Sequence, residues 1–164
     1  MTGICLMGVD PGVSGALAFY FPARPERVAV YDMPAVDKEV NAVGVQKLIR
    51  DFRPVGAVVE LVGARPGQGV SSMFKFGLAF GVVRGVIAAE SVPMIFVTPA
   101  KWKKHFSLNA DKEKSRALAL QTWPVCGDAF SRVKDDGRAE AALLARYAAD
   151  VAFVNLVQRE GLFA

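Results

Sequence analysis

The sequence predicts an α/β domain built on a mixed five-stranded sheet flanked by helices, and three patterns carry that prediction. The chain opens with apolar runs separated by Gly-rich and Pro-rich turns, at 4–10, 15–22 and 27–33, which read as an antiparallel meander. Two later apolar runs, 55–61 and 94–97, alternate with segments of helical spacing, the arrangement that lets strands pair in parallel through crossovers. Helical patterns then close the chain, giving the order βββαβαβααα.

The first strand is the run Ile4-Cys5-Leu6-Met7-Gly8-Val9, which ends on Asp10. Pro11-Gly12-Val13-Ser14-Gly15 turns the chain back into a second run, Ala16 to Phe21. Val45, Leu48, Ile49 and Phe52 give Val43 to Phe52 a helical stripe, stopped by Arg53-Pro54 before the next strand. A loop, Gly63-Ala64-Arg65-Pro66-Gly67-Gln68-Gly69, leads into a long helix over about 70–90, and Met94 to Val97 is a short strand. Helices are predicted at 99–106, 111–123 and 137–149, with Pro99 suiting a first-turn position and Asp111 a cap. No repeat, low-complexity segment or linker interrupts the pattern, so residues 1–164 read as a single domain.

A chain of 164 residues buries about two-thirds of its unfolded surface without disulfides or metals to staple it. Hydrophobic residues make up 52%, but the apolar stretches are broken by Gly, Arg or Glu, so none is expected to span a membrane. With no secretory signal before Ile4, and with Cys5 in a strand and Cys126 in a turn-like region, the cysteines read as reduced thiols and the location as cytoplasmic. The net charge is +4, and its placement is more informative than its size. Lys101, Lys103, Lys104, Lys112, Lys114 and Arg116 outnumber Asp111 and Glu113 by four in one segment, which equals the excess of the whole chain. Such a patch suits a polyanion such as nucleic acid, and equally a solvated helix face.

Three features place acids together. Asp10 ends the first strand, Glu60 closes the apolar strand Val55 to Val59, and Glu140 lies in an amphipathic helix just after Asp135 and Asp136. Asp136 and Glu140 are four apart and share one helix face. Two-metal phosphodiester cleavage needs several carboxylates converging on ions roughly 4 Å apart, and magnesium takes such oxygen ligands. Each acid also has a plainer reading: Asp10 as a turn residue, Glu60 as a strand-end surface charge, Asp135 or Asp136 as a helix cap. Glu140 resists that treatment, because it sits among Ala139, Ala141, Ala142, Leu143 and Leu144, where an unpaired carboxylate is expensive. Other schemes fit less well. His105 is the one histidine and lies in the basic patch, no Cys or His spacing suits zinc, and Gly8-x-Asp10-x-Gly12 enters a strand where a dinucleotide site needs a helix.

Gly77, Gly81 and Gly85 recur every four residues along the long helix and form one bare ridge. Each costs roughly 1 kcal/mol relative to Ala, so a closely packed partner is expected, either the domain's own sheet or the same helix of a second subunit.

Four segments, Gly8-Val9-Asp10-Pro11-Gly12-x-x-Gly15, Val58-Val59-Glu60, Val97-Thr98-Pro99-x-x-Trp102-Lys103-Lys104 and Asp136-Gly137-Arg138-Ala139-Glu140-Ala141, resemble RuvC-type Holliday junction resolvases, especially compact phage-like relatives. The match keeps motif order over nearly the whole chain. It implies a ribonuclease-H-like fold, a homodimer, a bacterial or phage-infected cell, and paired nicks across a four-way DNA junction that leave 5′-phosphate and 3′-hydroxyl ends. It also implies that Asp10, Glu60, Asp136 and Glu140, with Asp135 as the alternative to Asp136, hold two Mg2+ ions for which Mn2+ can substitute. Asp10 is expected to bridge both ions. On this reading the six basic residues of the patch grip backbone phosphates, Lys103 or Lys112 comes close enough to stabilise developing charge, and Arg65 and Gln68 contact strands at the junction centre. Two departures stand out. The last acidic pair is spaced by four and ends in Glu140, where many relatives have a spacing of three and Asp. Leu61-Val62-Gly63 replaces the aromatic that cellular resolvases carry beyond the strand-end Glu, leaving Phe74 or Phe76 as the wedge against junction bases, or as core. Related readings are a nuclease of the same fold acting on other branched DNA or RNA–DNA hybrids, and a non-catalytic junction binder.

Overall fold

A computed structural model describes residues 3–63 and 66–161. Its central sheet has five strands in the order β3-β2-β1-β6-β7. β1 (Leu6–Asp10), β2 (Ala16–Tyr20) and β3 (Val28–Asp32) pair antiparallel, while β6 (Gly56–Glu60) and β7 (Met94–Val97) continue the sheet in parallel. The expected mixed sheet, with its first three strands antiparallel, is therefore present. Asp10 and Glu60 both end strands at its centre.

Alternation along β1 separates two cores. Met7 and Val9 join Leu17, Phe19, Ala57 and Val59 beneath α1 (Ala42–Phe52) and α2 (Val70–Ala89). Leu6, Ala16, Ala18 and Val58 face α3 (Pro99–His105), α4 (Lys112–Thr122) and α5 (Asp136–Tyr147) on the other side. Both β1 and β6 are buried on both faces, which is why they read as unbroken apolar runs.

Gly8 sets how close α5 comes. A Cβ on Gly8 would stand 2.1 Å from the Ala141 carbonyl oxygen and 2.2 Å from the Ala145 nitrogen, so the helix backbone lies directly on the strand. The Arg138 guanidinium pins the start of α5 to the sheet edge, with Nε 2.6 Å from Asp32 Oδ1 and Nη2 2.7 Å from Asp32 Oδ2.

The helices start and stop close to where the sequence places them. Asn41 caps α1 by accepting from the Val43 and Gly44 amides, Pro99 opens α3, and Asp111 caps α4 through the Glu113 amide. Some elements differ from expectation. A small hairpin, β4 (Ala35–Val36) and β5 (Glu39–Val40), turns through Asp37 and Lys38 at φ 51° and 64°. Neither turn residue is glycine, so the usual hairpin signal is missing. Past Tyr147 the chain makes a π-helical turn, Ala148–Ala152, and then α6 (Val154–Gly161).

α2 also departs from the sequence reading. Its 20 residues, with a mean hydropathy of 1.5, are long and apolar enough to cross a membrane, yet only 17% of that stretch is buried. Ala79, Val83 and Ile87 seat it on the sheet. The opposite stripe exposes Val70, Phe74 and Leu78, and a Cβ on Gly77, Gly81 or Gly85 would meet nothing within 4 Å. The glycine ridge does not pack against the domain's own sheet.

Candidate active site

Strand parity brings the acids together. On β1, residues 6, 8 and 10 face α5, and on β6 residues 58 and 60 lie on the same side of the sheet, while Gly56 meets Phe153 there. The parallel register sets Val9 opposite Val59, so Asp10 and Glu60 emerge side by side from neighbouring strand ends. α5 starts above them. A Cβ on Gly137 would lie 3.1 Å from Asp10 Oδ2, so the absent side chain lets the carboxylate rest against the helix's first turn. Asp136 flanks that contact, and Glu140 follows one turn later, only 6% exposed.

The electrostatics match this convergence. Burial, then the charges of Glu60 and Glu140 and more weakly Asp136, push the Asp10 carboxyl up to about 8, with Lys112 pulling the other way. Glu60 is also 6% exposed, and Oε1 accepts from Trp102 Nε1 at 2.8 Å. Trp102 is fully buried one turn into α3.

Two lysines stand among the acids. Lys103 Nζ lies 2.7 Å from Glu140 Oε1, with the two side chains 13% and 8% exposed, and 5.2 Å from the Trp102 ring centroid. Lys112, the first residue of α4, donates to Asp136 Oδ2 from a more solvated position. Its ammonium is held protonated above its ordinary range, chiefly by that hydrogen bond. These groups border a cleft of about 1170 Å3 lined by Asp10, Glu60, Glu140, Gln68, Lys103, Lys104 and Lys112 among others.

Among the described residues, no three acidic, His or Cys side chains stand close enough, as they lie, to hold one ion. Two ammonium groups instead act as stand-in cations. The donor set is all oxygen, the neighbouring carboxylates raise the cost of ionising Asp10, and positive charge already sits against Asp136 and Glu140. Hard divalent cations fit that chemistry.

Asp135 lies apart from this group despite adjoining Asp136. It is 1% exposed, accepts from the Arg132 amide at 2.8 Å and from Arg132 Nη2 at 2.7 Å, and is held well below the usual carboxylate range by that guanidinium. Arg116 is bound to the fold as well: its guanidinium pairs with Glu113 at 2.6 Å and donates to the Phe130 and Ser131 carbonyls. Lys101 and Lys114 are exposed beyond the cleft lining. His105 contacts Asp150 at 3.2 Å. Arg65 lies outside the described residues. Phe74 is 72% exposed, whereas Phe76 is half-buried, 6.4 Å from the Phe80 ring, and lines a smaller recess that shares Val62 and Gln68 with the main cleft. Trp102 and Gly137 carry no signal of these roles in the sequence beyond their place inside the segments that bear the resemblance.

No family model and no curated protein matches the chain. Solved structures do. The fold is similar to Thermus thermophilus RuvC in complex with Holliday junction substrate (TM-score 0.62, 19% identity, 90% of this chain and 95% of that one). It is also similar to Thermus thermophilus RuvC determined separately (0.57, 17%, 91% and 97%) and to the yeast mitochondrial Holliday junction resolvase (0.52, 17%, 97% and 84%). The expected ribonuclease-H-like architecture is thus shared with these proteins over most of the chain.

Proposed function

We propose that this chain is a structure-selective endonuclease that resolves four-way DNA junctions by paired, metal-dependent nicks. The observation that carries the reading is the meeting of Asp10, Glu60, Asp136 and Glu140 beside a lysine-bordered cleft, on a fold similar to that of a protein solved with a Holliday junction. Asp10, Glu60, Asp136 and Glu140 would hold two Mg2+ ions, with Mn2+ as a substitute. When bound, such ions supply an activated water and charge compensation at the leaving oxygen, giving 5′-phosphate and 3′-hydroxyl ends. The protein's own groups do the rest. Asp10, between Glu60 and the start of α5, would be the acid common to the ligand set. Trp102 fixes the rotamer of Glu60. Lys103, Lys104 and Lys112 bring positive charge to a backbone phosphate in the cleft, and Lys101 and Lys114 extend that charge along the duplex without reading sequence. Gln68 lines the cleft, and Phe74 or Phe76 would be the aromatic that meets an unstacked base.

Two nicks with one site per chain require two subunits. The exposed stripe of Val70, Phe74 and Leu78, continued by the glycine ridge of α2, supports a two-fold pairing of that helix. Gly81→Leu should convert a dimer to a monomer in sedimentation velocity; an unaltered dimer would place the contact elsewhere. The setting implied is the cytoplasm of a bacterial or phage-infected cell.

The test is incubation of purified protein with an immobile four-way junction, other branched DNAs and an RNA–DNA hybrid, with Mg2+ or with chelator. Symmetrical nicking of the junction in Mg2+ alone is expected. Preferred cleavage of a fork or hybrid would assign a related nuclease, and binding without cleavage would leave a junction-binding protein.

A further inference from the structure

The two ion pairs that hold lysine against the acids have a consequence for loading. Lys103 reaches Glu140 from α3, and Lys112 reaches Asp136 from the first turn of α4. Both acids belong to α5, one turn apart, and both belong to the proposed ligand set. A divalent ion taken up by either carboxylate competes with the ammonium already there, because two cations held at contact distance around one acid repel each other.

We infer that Lys103 and Lys112 are exchangeable cations: they neutralise Glu140 and Asp136 in the metal-free protein, leave them as ions load, and are thereby released to a DNA phosphate in the same cleft. The geometry favours exchange over a fixed structural pair. Lys112 is two-thirds exposed on its flexible stem and can swing without unpacking anything. Lys103 is more enclosed, but it lines the cleft together with Lys112, so its shortest way off Glu140 leads into the space where a phosphate would lie. Release also avoids two adverse states. Lysines left beside loaded ions would repel them, and lysines kept on the acids would give the phosphate only part of their charge and donors. Metal and DNA then help each other, since each favours the arrangement the other needs, and that coupling is reciprocal.

The inference rests on the junction-nuclease reading for its phosphate half, while its metal half stands without DNA. Metal binding alone is measured by titrating Mn2+ or Ca2+ into DNA-free protein and reading the affinity by calorimetry. Lys112→Met is expected to bind the ion about fivefold more tightly or better than the wild type. Lys103→Met should act in the same direction, and Lys112→Met decides the matter if that variant does not fold. Lys104→Met is the control for general charge. It removes a cation from the same cleft, and it should change the affinity by less than about twofold. Unchanged or weakened binding in Lys112→Met, or an equal gain in Lys104→Met, would overturn the exchange.

The second measurement is junction affinity at fixed ionic strength with and without Ca2+. The wild type should gain about fivefold or more from the ion, and Lys112→Met should lose most of that gain. A gain fully retained in the variant would overturn the release to phosphate. Failure to bind any junction would instead contradict the proposed function, and the calorimetric result would still decide the exchange.

Discussion

Trp102 Nε1 donates to Glu60 Oε1 at 2.8 Å, joining a fully buried indole of α3 to the carboxylate that ends β6. Trp102→Phe keeps an aromatic ring, smaller than the indole, and removes the donor. Partners that orient a metal ligand are commonly worth about 10–100-fold in affinity. The variant should therefore bind Mn2+ at least about tenfold more weakly, while its metal-free junction affinity stays within about twofold. Calorimetry and a gel-shift titration, on protein with an unchanged far-ultraviolet spectrum, check this. Undiminished Mn2+ affinity would make the indole a packing residue only.

Asp135 and Asp136 are adjacent but should behave oppositely. Asp135→Asn removes the charge that Arg132 pairs with, and a hydrogen bond to a charged group contributes about 1.5–3 kcal/mol. Urea unfolding should register a loss of that order, with Mn2+ affinity preserved. Asp136→Asn should leave stability near that of the wild type in metal-free buffer and weaken Mn2+ binding. The reverse pattern would exchange their roles.

Asp10 makes metal-free stability depend on pH. Its carboxyl keeps a proton in the folded protein up to about pH 8, whereas its ordinary value is 3.8. Between those values the folded state holds more protons than the unfolded chain, so this group's contribution to stability falls as pH rises through the window. Asp10→Asn has no such loss. In chelator-treated buffer it should melt above the wild type at pH 9, by about 2–4 °C for each kcal/mol of relieved repulsion, with the difference gone near pH 4. Adding Mn2+ at pH 9 should stabilise the wild type more than the variant. Parallel melting curves across the range would show that Asp10 ionises normally.

Gly8→Ala tests how the floor of the site is built. A methyl 2.1 Å from the Ala141 carbonyl oxygen cannot be absorbed by a rotamer change, because the obstacle is backbone. The variant should lose about 3 kcal/mol or more in urea unfolding, at or beyond the upper end for overpacking. A loss under about 1 kcal/mol would mean that α5 rides higher on the sheet.

Much of this arrangement was legible because single residues carried it. Asp10 and Glu60 end apolar runs, so strand parity and one parallel register were enough to set them side by side. Glu140 stood out as an acid in an alanine face. The choice between Asp135 and Asp136 was not legible: it depends on Arg132, three residues earlier, which takes Asp135 into a cap. The lysine pairs were hidden for a related reason. Lys103 and Glu140 are 37 residues apart, Lys112 and Asp136 are 24 apart, and only the packing of α3 and α4 on α5 brings them into contact. The β4–β5 hairpin escaped because Asp37 and Lys38 make its turn without glycine. For the glycine ridge, spacing alone allowed either partner, and the sheet proved to lie on the opposite face of α2.

The most direct measurement is the anomalous scattering of a crystal soaked in Mn2+. Two peaks roughly 4 Å apart are expected, ligated by Asp10, Glu60, Asp136 and Glu140, with the Lys103 and Lys112 ammonium groups moved off their carboxylates. An empty cleft at saturating Mn2+, or peaks ligated by other side chains, would contradict it.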